Sequence, residues 1–383
     1  MGKAFALLID ILKSEICELP LSLSPLSPDE AKELYLLSKR QELTHIVGNA
    51  VCREGVLADV KAKAAFEKAS FSALYRYEQM TAELKALSSL FEEKKIPFLP
   101  LKGSVLREFY PTPWMRNSCD IDVLVREETL DAAKAALLEA GYLFREQGSH
   151  DAAFDSPRGV HIELHFTLIE EHVMKKAARI LKDPWAHAAP VKEGSFRYAL
   201  SDAAFYFYHV AHMAKHYLIG GCGIRPLLDL WVMNHRMTFD ASAREALLKE
   251  GGLLSFHEAA MALSEAWFGC GEMTPLTERM EHFILTGGVY GSVENRVSVQ
   301  QAEKGGKLRY ALFRIFLPYD YLKFQYPILQ KHKWLLPVCE VRRWCKLIFL
   351  GGARRSAREL QLNSAIEGDT MQKTKDHLKE LGF

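Results

Sequence analysis

Apolar positions along the chain keep two different periods, and the change between them divides it. Through residues 1–95 they recur every three or four positions, the spacing of helices with one buried face. The opening MGKAFALLIDILKSE reads as an amphipathic helix, and Ser27-Pro28-Asp29-Glu30 carries a helix start: a serine cap, a first-position proline and acids in the first turn. Leu84, Leu87, Leu90 and Phe91 stand at helical spacing within a run over about 56–95 that meets no proline until Pro97. Then the period shortens. Residues 96–101 are extended, 105–110 helical, and 119–125 a strand; 127–140 form a helix that Gly141 closes, and 142–145 and 160–166 are further strands. Helical spacing returns from Ile169, with helices predicted over 200–218, 224–236, 240–250 and 253–268. The pattern predicts an α+β fold in which a small mixed-sheet unit sits between an N-terminal and a C-terminal helical region. The expected organisation is 1–95 helical, 96–168 the α/β core, 169–303 a helical substrate-side domain and 304–383 a basic, aromatic helical segment.

Composition changes this picture little. At 383 residues, 49% hydrophobic and 25% charged, the chain has apolar material for a sizeable core without staples. Its seven cysteines are scattered with no C-x-x-C pair, which argues against a disulfide framework or a zinc site and for a reducing cytoplasm. No run approaches the roughly 20 apolar residues of a membrane span. Asp10 interrupts the apolar N-terminus, no small-residue cleavage site follows, and Ala6 fails the myristoylation pattern. A cytoplasmic protein is expected, with peripheral membrane contact as the alternative. Charge is uneven: net +1 overall, yet residues 304–358 hold 13 Lys and Arg against two acids, Asp320 and Glu340. Such a segment is expected to meet an anionic partner.

The chemistry gathers in the α/β unit. In the predicted strand NSCDIDVLV, Asp120 and Asp122 point to one face while Ile121, Val123 and Val125 take the other. Neighbouring carboxylates in a low-dielectric place repel, so one gains a proton unless a cation lies between them; a wet edge strand is the bland alternative. Glu163 lies on another strand, again flanked by apolar residues, in an alternation that sets His161, Glu163 and His165 on one face. Lys102-Gly103-Ser104 is a turn between a strand and a helix, where glycine permits close approach, serine offers a hydroxyl and helix-start amides suit phosphate. Three carboxylates beside such a turn are what Mg²⁺-dependent phosphoryl transfer needs, since Mg²⁺ takes hard oxygen ligands and substrate phosphates.

The run PLKGSVLREFYPTPWMRNSCDIDVLV, followed by GVHIELHF, resembles the nucleotidyltransferase superfamily with the DNA polymerase β-type fold. More narrowly, it is similar to a bacterial family of uncharacterised nucleotidyltransferases, strongest over 96–168. The resemblance implies that Gly103 and Ser104 hold a triphosphate, and that Asp120 and Asp122 ligate Mg²⁺ (or Mn²⁺) with Glu163 as third ligand or general base. Lys102 and Arg116 would stabilise negative charge on the nucleotide. The stretch between Ser104 and Asp120 is slightly long for the superfamily, and Tyr110-Pro-Thr-Pro113 within it could form a lip over the nucleotide.

Downstream, His209, His212 and His216 share one helical face. They read as a polar seam facing the cleft or as satisfied core histidines, rather than a zinc site. Arg225 and Asp229 are spaced for an intrahelical ion pair. If the helical part closes over the substrate, His165, His212, His216 and Asp229 become further substrate-side candidates. The tail RYALFRIFLPYDYLKFQYPILQKHKWLLPVCEVRRWCKLIF interleaves cations with aromatics, which suits a nucleic-acid strand or an anionic membrane, or is merely a solvated packed face. No Walker loop, nucleophile elbow, H-E-x-x-H or dinucleotide fingerprint is present. The reading is a nucleotidyltransferase moving an NMP from an NTP to an acceptor hydroxyl or phosphate on a small molecule, sugar, RNA or protein. The alternatives are a toxin-type enzyme modifying RNA or protein, a silent nucleotide-binding scaffold, and a peripheral enzyme of lipid or polysaccharide precursors.

Overall fold

The computed structural model describes residues 2–169, 174–289, 291–349, 353–366 and 368–383; positions 350–352 of the basic segment lie outside the described residues. Four helices precede the sheet: α1 (Lys3–Cys17), α2 (Pro28–Arg40), α3 (Thr44–Arg53) and α4 (Val60–Glu93). The start of α2 is the predicted one. Ser27 Oγ accepts from the Glu30 amide at 3.3 Å while the Glu30 carboxylate accepts from the Ser27 amide at 2.9 Å, a reciprocal cap. The 34 residues of α4 span about 50 Å at helical rise, long enough to serve two cores. Phe66 packs among the N-terminal helices, whereas Met80, Leu87 and Phe91 lie under the sheet.

The sheet has five strands in the order β1-β2-β5-β4-β3. These are β1 (Phe98–Pro100), β2 (Asp120–Val125), β3 (Leu143–Gln147), β4 (Asp151–Asp155) and β5 (His161–His165). Only β2 and β5 pair in parallel; the other three pairings are antiparallel. A single turn, α5 (Gly103–Leu106), joins β1 to β2, and α6 (Leu130–Glu139) follows β2. Ile121, Val123, Ile162 and Leu164 bury one face of the sheet against Leu137, Ala133, Leu87 and Phe91. The other face is left to the acids. The strand Asp151–Asp155 is absent from the sequence expectation: its centre is Ala152-Ala153-Phe154, and alanine carries little strand propensity.

After the sheet come α7 (Lys175–Ile180) and a hairpin of β6 (Ala188–Pro190) and β7 (Tyr198–Leu200), also unanticipated. The helices α8 (Asp202–Ile219), α9 (Arg225–Arg236), α10 (Ala241–Glu250) and α11 (Leu254–Phe268) begin and end within two residues of their predicted bounds. They are followed by α12 (Pro275–Gly287), α13 (Val293–Lys304), α14 (Lys307–Ile315), α15 (Tyr319–Gln325), α16 (Ile328–Lys331), α17 (Leu336–Phe349), α18 (Ala353–Ala365) and α19 (Gly368–Glu380). Helices before and after the sheet share one core, in which Leu8, Leu12 and Ile46 belong with Phe205, Leu228 and Phe268. The fold is therefore α+β, a mixed sheet held between helical regions. Among the described residues no helix is long and apolar enough to cross a membrane.

This core holds imidazoles that stay neutral. His45 donates from Nε2 to the Met115 carbonyl at 2.9 Å, and the Nε2 atoms of His257 and His377 lie 2.8 and 2.6 Å from the hydroxyls of Tyr206 and Tyr217. Burial pushes each from the ordinary 6.5 down to about 4. In the unfolded chain the same groups take up protons near 6.5, so their neutrality favours folding fully above that value and is lost as pH falls through it. The urea midpoint, followed by tryptophan fluorescence, should decline steadily between about pH 7 and about pH 4.5; a flat profile would mean that these rings are not buried.

Candidate functional site

Parallel pairing sets Asp120 opposite His161, Asp122 opposite Glu163 and Leu124 opposite His165. Strand alternation then turns Asp120, Asp122, Glu163 and His165 to the face away from α4 and α6. Asp122 is only 4% exposed, and its Oδ1 accepts from Lys102 Nζ and from His165 Nε2, each at 2.8 Å. The same Nε2 lies 3.3 Å from Glu163 Oε2.

The protonation states follow from these contacts. Burial alone would raise the Asp122 carboxyl, but the Lys102 charge and the His165 hydrogen bond outweigh it and hold the group well below the carboxylate range. Asp120, also desolvated and beside the Asp122 charge, is pushed up. The hydrogen bond from His165 lowers Glu163. Burial acts to lower His165 and Lys102, yet the carboxylates around them raise both. The repulsion between neighbouring acids is answered by the Lys102 ammonium from one side and the His165 ring N–H from the other.

Lys102 reaches Asp122 from a strained backbone, with φ 45° and ψ −122°, a conformation that non-glycine residues rarely adopt. Gly103 next to it sits in a tight place: a Cβ there would lie 3.2 Å from both Ser118 Cβ and Ser118 Oγ, and 3.4 Å from an Arg116 guanidinium nitrogen. The Ser104 amide donates to the Leu101 carbonyl at 3.1 Å, closing the turn. The Ser104 hydroxyl is buried and has no hydrogen-bond partner among the described residues. An orphaned buried donor in this turn is a place where an anionic oxygen would be welcome.

Beneath the turn lies a second buried charge pair. Arg116 Nε and the Tyr110 hydroxyl both donate to Asp229 Oδ1 at 2.6 Å, and Asp229 is 1% exposed. Two sequence expectations change here. Arg225 and Asp229 do not pair along α9: Asp229 turns inward to Arg116, while Arg225 donates to the Asn117 carbonyl at 3.1 Å and to Glu42 at 2.7 Å. Tyr110 is not part of a lip, because its ring is buried in the core and its hydroxyl holds Asp229. Arg116, expected at the nucleotide, is engaged with Asp229 and with the Asn117 carbonyl at 2.9 Å.

The structure separates the three histidines of α8. His209 donates from Nε2 to the Pro226 carbonyl at 3.1 Å, whereas His212 and His216 bring their Nε2 atoms within 3.3 Å of each other. Burial, then the Lys102 charge, hold His212 well below its ordinary value, so this ring is neutral and lies within reach of the Lys102 ammonium. Tyr208, one turn before His212, was not singled out from sequence. It is buried, and its hydroxyl is pushed up by burial within reach of the Lys102, Asp122 and Glu163 charges. Its place four residues before His212 on the same helical face was the signal available.

Ligand atoms of Asp122, Glu163 and His165 fall within 4.8 Å of one another, a grouping that could hold a metal ion; Asp120 stands outside it. The carboxylates of Asp122 and Glu163, with that of Asp120 one pair along the strand, are hard oxygen donors of the kind Mg²⁺ or Mn²⁺ takes, while the His165 Nε2–H is committed to hydrogen bonds with them. Residues 27–269 match the profile of a protein family described as uncharacterised nucleotidyltransferase. No curated protein and no solved structure matches the chain.

Replacing Asp229 with asparagine leaves the buried Arg116 charge unanswered and should cost about 3–5 kcal/mol in urea unfolding. Tyr110→Phe removes one hydrogen bond to a charged group and should cost about 2 kcal/mol. Equal losses in the two variants would show that the ion pair is not what holds the turn.

Proposed function

The chain belongs to the uncharacterised nucleotidyltransferase family, and from that premise we propose that it transfers a nucleoside monophosphate from an NTP to an acceptor hydroxyl or phosphate at the acid face of β2 and β5. What carries this reading is the Asp122–Glu163 register pair, kept charged by Lys102 and His165 beside a turn with an unpartnered serine hydroxyl. Magnesium or manganese held by Asp122, with Asp120 beside it, would offset the negative charge that gathers on the transferred group.

In this mechanism Glu163, half-buried at the rim, takes the proton of the acceptor hydroxyl. The acceptor oxygen forms a bond to the α-phosphorus, the bond to the β-phosphate oxygen breaks in line, and pyrophosphate leaves. Ser104 donates its free hydroxyl to a phosphate oxygen. Lys102 supplies a fixed positive charge at the same place, gained with little reorganisation because Asp122 already orients it. His165 holds Asp122 and Glu163 in one plane of action through its shared Nε2. Tyr208 and neutral His212 close the helical side of the site against water. The family and the full set of acids favour a transferase over a silent nucleotide-binding scaffold.

Two variants test the reading. Asp122→Asn should lower label transfer from an α-labelled NTP by more than about a hundredfold, because an essential charge is lost. Ser104→Ala removes a hydroxyl with no protein partner, so its melting temperature should stay at the wild-type value or rise. Its NTP-induced thermal shift should shrink from the ~2.7 kcal/mol expected at a hundredfold excess over Kd. An unchanged NTP shift in Ser104→Ala, with full transfer by Asp122→Asn, would remove the nucleotide from this site.

A further inference from the structure

The C-terminal helices invert the usual arrangement of polar and apolar side chains. On α17 the buried residues are Cys339, Glu340 and Arg343, whereas Val338, Val341, Ile348 and Phe349 face outward. Glu340 and Arg343 pair at 2.8 Å, and Glu340 also accepts from the Leu317 amide at 2.6 Å. Arg296 and Arg314 close in the same way on the buried Glu359. Internal ion pairs thus hold this part of the chain together around a small apolar cluster of Leu322, Leu329 and Cys339.

Several large apolar residues are left outside. Leu308 and Leu312 share one stripe of α14, and Phe316 just past its end meets Trp344 of α17 at a ring distance of 5.4 Å, which joins the two helices. Trp334 is 75% exposed and Phe349 82%. Cations accompany them: Lys331 and Lys333 precede Trp334, and on α17 Arg342 and Lys346 fall between its outward apolar arc and its buried side. Both acids of 304–358 are answered internally, Glu340 by Arg343 and Asp320 by Lys323 at 2.9 Å. The outward side of this segment thus combines exposed apolar groups with unbalanced positive charge.

We propose that this face of α14–α17 docks on an anionic lipid bilayer, its aliphatic and aromatic side chains entering the headgroup boundary and its lysines and arginines meeting lipid phosphates. Charge chooses among the possible occupants. A second copy set face to face would bring two strongly positive surfaces together. A nucleic-acid strand would match the cations and could stack on Trp334, Phe316 or Phe349, but it would leave the aliphatic Leu308, Leu312, Val338, Val341 and Ile348 without an apolar partner. A bilayer with acidic headgroups satisfies both halves of the surface at once. The inference does not depend on nucleotidyl transfer.

Vesicle flotation of the full chain tests it, with phosphatidylcholine alone compared against phosphatidylcholine containing phosphatidylglycerol. Wild type should float only with the anionic vesicles, and less as salt is raised. The exposed pair Val341→Ser/Ile348→Ser should keep the wild-type melting temperature yet lose capture by about tenfold, and Lys331→Glu/Lys346→Glu should lose a similar factor. Absence of wild-type capture, or capture that the serine pair leaves unchanged, overturns the proposal. So does retention of single-stranded RNA without vesicle capture, which assigns the face to nucleic acid. A dimer in sedimentation velocity that the serine pair dissociates would assign it to self-association.

Discussion

A carboxylate with almost no access to water must be answered by cations, and the structure around Asp122 is the consequence. Lys102 comes from the turn after β1 and His165 from β5, so one oxygen ties together the three strands that carry the chemistry. At 2.8 Å each contact is worth about 6 kcal/mol of gross attraction at an effective dielectric near 20, most of it offset by desolvation. The geometric demand is stricter than the energy. A slip of one residue between β2 and β5 would carry Glu163 and His165 to the packed face, where Leu87 and Phe91 leave no room for charge. Register, turn conformation and protonation are thus one problem with one solution, and the unusual backbone at Lys102 is part of it.

Beneath that layer the Arg116–Asp229–Tyr110 group does for the turn what Lys102 and His165 do for the strand. It fixes Arg116 beside Gly103, and it links the turn to α9, more than a hundred residues later. The acid face is therefore supported by the helical region as well as by the sheet. Because α4 packs in both cores, a displacement of the N-terminal helices relative to the sheet is resisted along its whole length.

Much of this was legible where a local period carries the signal. Alternation in 119–125 and 160–166 placed Asp120, Asp122 and Glu163 on the acid face, and helical spacing located α8 to α11 to within two residues. What escaped was of another kind. Arg225 and Asp229 stand at the spacing of an ion pair, but an inward-facing aspartate is claimed by whatever buried cation the tertiary structure brings, and Arg116 arrives from 113 positions away. Tyr110 sits in a proline-rich stretch that reads as an exposed loop, yet its hydroxyl is needed inside. β4 has two central alanines, so only its neighbours β5 and β3 make it a strand. The partner of Asp122 was open for the same reason: a strand pattern says where a carboxylate points, not which lysine has been bent to meet it.

Charge is handled in opposite ways at the two ends of the molecule. In the sheet, cations and carboxylates converge on one accessible face, leaving a serine hydroxyl and a rim glutamate with capacity to bind. In α14–α17 the Glu340–Arg343 pair is turned inward and satisfied, so much of the surface is left to apolar groups and unbalanced positive charge. Burying Glu340 and Arg343 while exposing Val341 and Ile348 makes little sense for a helix whose outward side meets only water, since exchanging the two sets would remove apolar surface from solvent and relieve the desolvation of an ion pair. It makes sense if the outward side has a medium of low polarity to enter. The same reasoning that makes a buried Asp122 require its cations makes an exposed Phe349 require a partner that is not water.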